Sequence, residues 1–183
     1  MSGAIVTSMA VLAQTAMAGC GLIFLTAGFQ KVRHRHVLPG VIANYRILPE
    51  SLVGPAAIAL PAVESLLGAL LLMGLTPLPV IVGAALLSLF AMAMAFNLLR
   101  GRREISCGCG RPDLIQRLRW SSVIRNLLLA AALLTPLGFA AQLDPMARAS
   151  GLFGGLALWL GYQLFEAIHA AQAAAAPAPH RRH

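Results

Sequence analysis

A chain of 183 residues that is 58% hydrophobic and only 11% charged cannot clothe itself for water, since a soluble domain carries about 25% charge. Its net charge of +8 invites a nucleic-acid partner, but the cations sit in connectors between apolar runs, which excludes that reading and matches the orientation signal of membrane proteins. Three cysteines are too few and too unevenly placed for a secreted disulfide framework.

Five apolar runs follow one another, each long enough to cross about 30 Å of hydrocarbon as a helix. They predict transmembrane helices near 4–29, 55–75, 79–99, 121–141 and 150–171. Backbone groups in lipid must bond within their own segment, so runs of this length read as helices and not as barrel strands. The expected fold is therefore all-α: a polytopic membrane helical bundle of four core helices plus a fifth, C-terminal one. Residues 1–172 form one domain in this reading, and the Ala/Pro-rich basic tail at 173–183 is disordered.

The connectors differ in kind. The first, 30–54, contains an amphipathic stretch from Pro39 to Leu48 suited to the membrane interface. Thr76-Pro77-Leu78-Pro79 reads as a tight hairpin, because proline interrupts a helix. The loop from Arg100 to Trp120 carries Cys107-Gly108-Cys109 among arginines.

Twelve cations (Lys31, Arg33, Arg35, Arg46, Arg100, Arg102, Arg103, Arg111, Arg117, Arg119, Arg181, Arg182) fall on one side of a five-helix arrangement, against Arg148 alone on the other. The bias places the N-terminus outside and the cysteine loop in the cytoplasm. Met17-Ala18-Gly19-Cys20 looks like a lipoprotein cleavage site, but no basic residue precedes Lys31 and the apolar run continues past Cys20. A retained first helix is the expectation.

Chemistry centres on Cys107 and Cys109. A disulfide across so short a span is strained and hence oxidising. Neighbouring Arg100, Arg102, Arg103 and Arg111 favour the thiolate, the reactive species. The same thiolates could hold Cu(I) or Zn(II), or the pair could brace the loop. Cys20, between Gly19 and Gly21, reads first as a small buried hydrophobe and second as a relay thiol. Glu64, Asn97, Arg125 and Asn126 form a polar intramembrane set, expensive in lipid and a functional candidate for that reason. A Glu64–Arg125 pair with amide support is geometrically plausible and would point toward the cysteine loop, either as a functional group or as an ion pair that fixes helix packing. Glu166 and His169, three apart near the end of the fifth run, read as interfacial residues before metal ligands. Met92 and Met94 read as core residues, and His34, His36, His180 and His183 as solvated ones. There is no phosphate-binding glycine loop, no Ser/His/Asp arrangement and no HExxH.

Several motifs in order resemble the MauE family of methylamine-utilisation membrane proteins, which belong with the DoxX-like redox-associated group. They are Gly21–Lys31, Asn44-Tyr45-Arg46-Ile47-Leu48-Pro49, Leu60-Pro61-Ala62-Val63-Glu64, Asn97-Leu98-Leu99-Arg100-Gly101, Cys107-Gly108-Cys109-Gly110 and Arg125-Asn126. The resemblance implies a multi-pass protein of the bacterial inner membrane that supports maturation of a periplasmic amine dehydrogenase. The implied partners are a periplasmic thioredoxin-like protein and the disulfide-rich dehydrogenase small subunit. Kinship with four-helix thiol oxidants implies a membrane quinone as a possible cofactor and Cys107 and Cys109 as the redox pair. Glu64, Asn97, Arg125 and Asn126 would shape a polar site beneath the pair, with Lys31, Tyr45, Arg100 and Arg103 supporting the loop.

A conflict stands within these expectations. Disulfides form in the periplasm, whereas the cation count turns the cysteine loop inward. Electron transfer on the inner side with Cys20 as relay, inverted insertion, and metal or sulfur handling by the pair are three ways to reconcile them.

Overall fold

The computed structural model describes residues 3–102, 105, 118–138 and 145–175. Six helices account for nearly all of them: α1 (Gly3–Arg33), α2 (Leu38–Asn44), α3 (Glu50–Leu72), α4 (Leu78–Leu99), α5 (Trp120–Leu134) and α6 (Pro145–Ala175), with a 3₁₀ turn at Thr135–Leu137 after α5. All except the short α2 belong to spans long and apolar enough to cross a membrane, and no strand occurs among the described residues. The protein is a polytopic helical membrane protein.

The element boundaries differ from the hydropathy limits for local reasons. Helix α1 runs past Phe29 to Arg33, because Lys31 finds a buried acidic partner and the chain need not leave the helix to expose it. Helix α3 starts at Glu50, not Pro55. Pro49 is extended (φ −63°, ψ 150°) and launches it, and an acid in the first turn suits the positive end of the helix dipole. Pro55 and Pro61 lie inside α3, each at the loss of one backbone bond. Helix α5 stops early, since Pro136 supplies no N–H to continue it. Helix α2 overlaps the amphipathic stretch of the first connector, starting one residue before it, and Leu38 and Val41 are its buried residues.

Helix α1 is the hub, packing along α3, α6 and α5, while α4 pairs with α5. It is antiparallel to α3, with Gly28 facing Pro61 and Ser65, and Gly21 facing Gly68 and Leu72. It is parallel to α6, with Gly151 facing Gln14 and Gly155 facing Ala18 and Gly19. Small residues at these crossings let backbones approach, the usual device where lipid removes the hydrophobic drive for helix association. A Cβ on Gly68 would lie 2.7 Å from both the Gly21 carbonyl oxygen and the Leu25 backbone nitrogen, so the α1–α3 contact is closed to any larger residue. The inner core gathers Met17, Cys20, Phe24, Leu71, Val80, Leu87 and Leu133. Ile58, Leu66, Leu89, Leu128 and Phe153 are exposed, as lipid-facing residues are.

Candidate functional site

Glu64 lies on α3 and is 1% exposed, and Lys31 near the end of α1 is 2% exposed. The Lys31 ammonium donates to both carboxylate oxygens, at 2.9 Å to Oε1 and 2.8 Å to Oε2. Its Nζ also stands 6.0 Å from the centroid of the Phe90 ring on α4. The Glu64–Arg125 pairing that the sequence made plausible is not the one that forms. Glu64 is held by Lys31, 33 residues earlier, and Arg125 turns to the other side of the bundle.

Arg125 on α5 pairs with Glu166 on α6, and its guanidinium lies over the Tyr162 ring at 4.6 Å and the Phe165 ring at 5.2 Å. Each of these contacts is stronger away from water. Glu166 is thus a helix-to-helix partner, and the side chain of His169 lies outside the described residues. Nearby, Arg119 at the head of α5 donates to Gln172 Oε1 on α6 at 3.2 Å.

Asn97 is fully buried near the end of α4. Its Nδ2 donates to the Ala93 carbonyl at 3.1 Å, and its Oδ1 accepts from Arg102 at 3.2 Å. Gly101 makes that return possible. Its φ of 74° is a left-handed conformation that closes α4 with bonds from Gly101 N to Leu98 O and from Arg102 N to Asn97 O. The chain thus folds back over the helix end just before the cysteine loop. Arg100 stacks on Phe96 at 4.7 Å.

Ile105 and Leu118 flank the cysteine loop, and both are buried in one apolar cluster with Ala91, Met94, Leu98 and Val123. Tyr45 and Phe90 pack against that cluster. Both stems of the loop are thus pinned at the α4–α5 end, on the same side as Asn97. Asn126 is also buried, on α5. Cys107, Cys109 and Arg103 lie outside the described residues, as does residue range 176–183 of the tail. Cys20 is 1% exposed within the apolar core, where its thiol faces the Leu129 carbonyl at 3.9 Å. Those surroundings are those of a small apolar side chain. Among the described residues no group of three His, Cys, Asp or Glu side chains converges on a metal position.

Sequence reasoning singled out Glu64, Asn97, Arg125 and Asn126, but not who holds whom. The missed partners are Lys31 as a buried residue and Glu166 as the ligand of Arg125. An intramembrane acid and an intramembrane arginine each demand an opposite charge, and the candidates within reach of a helix face were few.

The family model described as Methylamine utilisation protein MauE matches residues 9–139. The chain belongs to the MauE family. Its similarity to curated MauE proteins extends beyond that segment. The Methylamine utilization protein MauE of Paracoccus denitrificans is 39% identical over 162 residues, covering 84% of this chain and 86% of the relative. That of Paracoccus versutus is 36% identical, covering 76% and 77%. That of Methylophilus methylotrophus is 43% identical, covering 60% and 58%. No solved structure matches the chain. The MauE match includes the Lys31–Glu64 pair, Asn97, the cysteine loop and Arg125, but ends before α6 begins.

Proposed function

We propose that this MauE protein is a multi-pass component of the bacterial inner membrane that supports maturation of a periplasmic amine dehydrogenase small subunit through thiol–disulfide exchange at Cys107 and Cys109. Membership in the MauE family implies a role in methylamine utilisation. The observation that carries the redox reading is the placement of the pair. Two thiols one residue apart lie among arginines, on a loop whose two stems, Ile105 and Leu118, are buried in the same cluster. A tethered dithiol in a cationic setting suits thiolate chemistry.

In the exchange, a thiolate of a dithiol partner on the same side of the membrane as the loop attacks the Cys107–Cys109 disulfide. A mixed disulfide forms and one loop cysteine leaves as thiolate. The partner's second thiolate then attacks the mixed bond, so the partner departs oxidised and the loop carries two thiols. Two electrons have moved from partner to loop.

Replacement of both Cys107 and Cys109 by serine tests this reading. The double variant is expected to insert normally and to leave the dehydrogenase small subunit with incomplete disulfides. The single Cys109→Ser and Cys107→Ser variants are expected to accumulate a mixed disulfide with the partner, visible on a non-reducing gel. Normal client maturation in the double variant overturns the redox role. Stoichiometric copper or zinc on the purified wild type, lost with the cysteines, would assign the pair to metal binding.

A further inference from the structure

A slot of about 430 Å³ opens between α2, α3 and α4, and its described walls are apolar apart from Lys31 and Tyr45. Both Glu64 oxygens accept from the Lys31 ammonium, so the one charge on those walls is already neutralised. Such a lining favours hydrocarbon over a polar solute, because a polar group buried without a partner is costly. The slot is also elongated. Its walls run from Ala56 to Val63 on α3 and from Leu86 to Met94 on α4, about 10–12 Å of rise along each helix. Val63 is 41% and Leu89 55% exposed, so the lipid-facing side is open. A groove that follows membrane-crossing helices and opens to the bilayer lies along the direction of acyl chains.

One end of the slot is near the membrane surface. Helix α1 ends at Arg33, α3 begins at Glu50 and α4 ends at Leu99. The wall residues Lys31, Ala56 and Met94 lie within about two turns of those ends. Leu38, Val41 and Tyr45 of the first connector close the slot over on that side.

The same connector carries unpaired cations. Arg33, Arg35 and Arg46 are exposed, and no side-chain hydrogen bond or ion pair ties any of them to another described residue. Glu50 is the one acid between residues 30 and 63. Arg46 is the most telling of the three. It follows α2 at φ 50°, a left-handed conformation that usually falls to glycine. Its neighbours Tyr45 and Ile47 both line the slot. A guanidinium is thus kept at the rim at a backbone cost that glycine would not carry. Cations over an apolar slot suit an amphiphile with a negative head and a hydrocarbon tail.

We infer that this site binds one anionic phospholipid, with its phosphate among Arg33, Arg35 and Arg46 and one acyl chain in the slot between α3 and α4. A zwitterionic lipid would fill the slot equally well but leave the rim's positive charge unbalanced, so selection rests on the head. No cysteine enters the site, which therefore stands apart from the thiol reading.

The test is photo-crosslinking of the full-length protein in phosphatidylcholine nanodiscs doped with phosphatidylglycerol that carries a diazirine on one acyl chain, followed by peptide mapping. Adducts are expected on segments 56–63 and 86–94. Excess unlabelled phosphatidylglycerol is expected to abolish them, and phosphatidylcholine bearing the same diazirine chain to label these segments several-fold less. Ala59→Phe fills an exposed wall position and is expected to abolish the adducts while helix content is kept. Arg46→Gly relieves the left-handed backbone and removes the cation. It is expected to hold or raise the thermal midpoint while lowering phosphatidylglycerol labelling about fivefold, a split that a purely structural arginine would not produce. Equal labelling by the two lipids, adducts unchanged by Ala59→Phe or by Arg46→Gly, or adducts spread evenly over the lipid-facing residues of α1 and α6 overturn the site. Competition by water-soluble glycerol phosphate as effective as that by phosphatidylglycerol would assign the arginines to a free phosphate and overturn the lipid.

Discussion

The Lys31 ammonium and the Glu64 carboxylate meet at 2.8 Å with side chains 3% and 1% exposed, joining the end of α1 to α3. Neither group reaches water, so each relies on the other to offset its lost hydration. Breaking a buried pair strands a charge and costs about 3–5 kcal/mol, whereas replacing both members with apolar residues is often neutral. Lys31→Met is therefore expected to lower the thermal midpoint of the detergent-solubilised protein by many degrees. Lys31→Met/Glu64→Met is expected to recover most of that loss. Equal destabilisation by the single and double variants would show that the two side chains act separately.

Arg125 gives a different balance, because it combines an ion pair with two ring contacts. Arg125→Lys keeps the charge beside Glu166 but loses the planar stacking on Tyr162 and Phe165. The expected loss is about 0.5–2 kcal/mol. Arg125→Ala leaves Glu166 without its partner and should cost more. Protease accessibility of α6 in detergent checks both, with Ala cut faster than Lys and Lys faster than wild type.

Gly68 sits where two backbones touch. Gly68→Leu is expected to cost about 3 kcal/mol or more, since its side chain meets backbone atoms of α1 that cannot move aside. Gly54→Ala, with nothing within 4 Å of an added Cβ, is expected to be neutral or to stabilise by up to about 1 kcal/mol. Size-exclusion profiles after graded heating separate the two variants, and equal tolerance would mean that α1 and α3 do not cross at Gly68.

Orientation has its own test. The cation distribution predicts that Cys107 and Cys109 react with a membrane-impermeant maleimide only when the cytoplasmic face is open, as in inverted vesicles. Labelling in intact spheroplasts would place the pair outside, where direct exchange with a periplasmic partner occurs.

The spans were legible because lipid demands long apolar runs whatever the tertiary contacts. All five predicted runs correspond to observed spans. Their ends were less legible, as at Lys31, where the sign of a charge suggested a loop and the fold supplied a buried partner. Pro55 misled in the same way: a proline lowers helix propensity locally, but packing carries α3 through it. The polar residues Glu64, Asn97, Arg125 and Asn126 announced themselves by their cost in hydrocarbon. Their pairing did not, since Lys31–Glu64 and Arg125–Glu166 join residues 33 and 41 apart in the chain. No helical periodicity links residues across separate helices, so only the three-dimensional arrangement assigns the partners.

Helix α6 changes what a shortened version of this molecule would need. Its glycines fill the groove that Gln14, Thr15 and Ala18 leave on α1, and its Glu166 neutralises Arg125. Excising it would bare a stripe too small-featured to hold acyl chains well and leave a guanidinium facing oil. A four-span descendant would have to exchange Arg125 for an aliphatic residue and bulk up that stripe of α1 together, because either change alone is a step downhill.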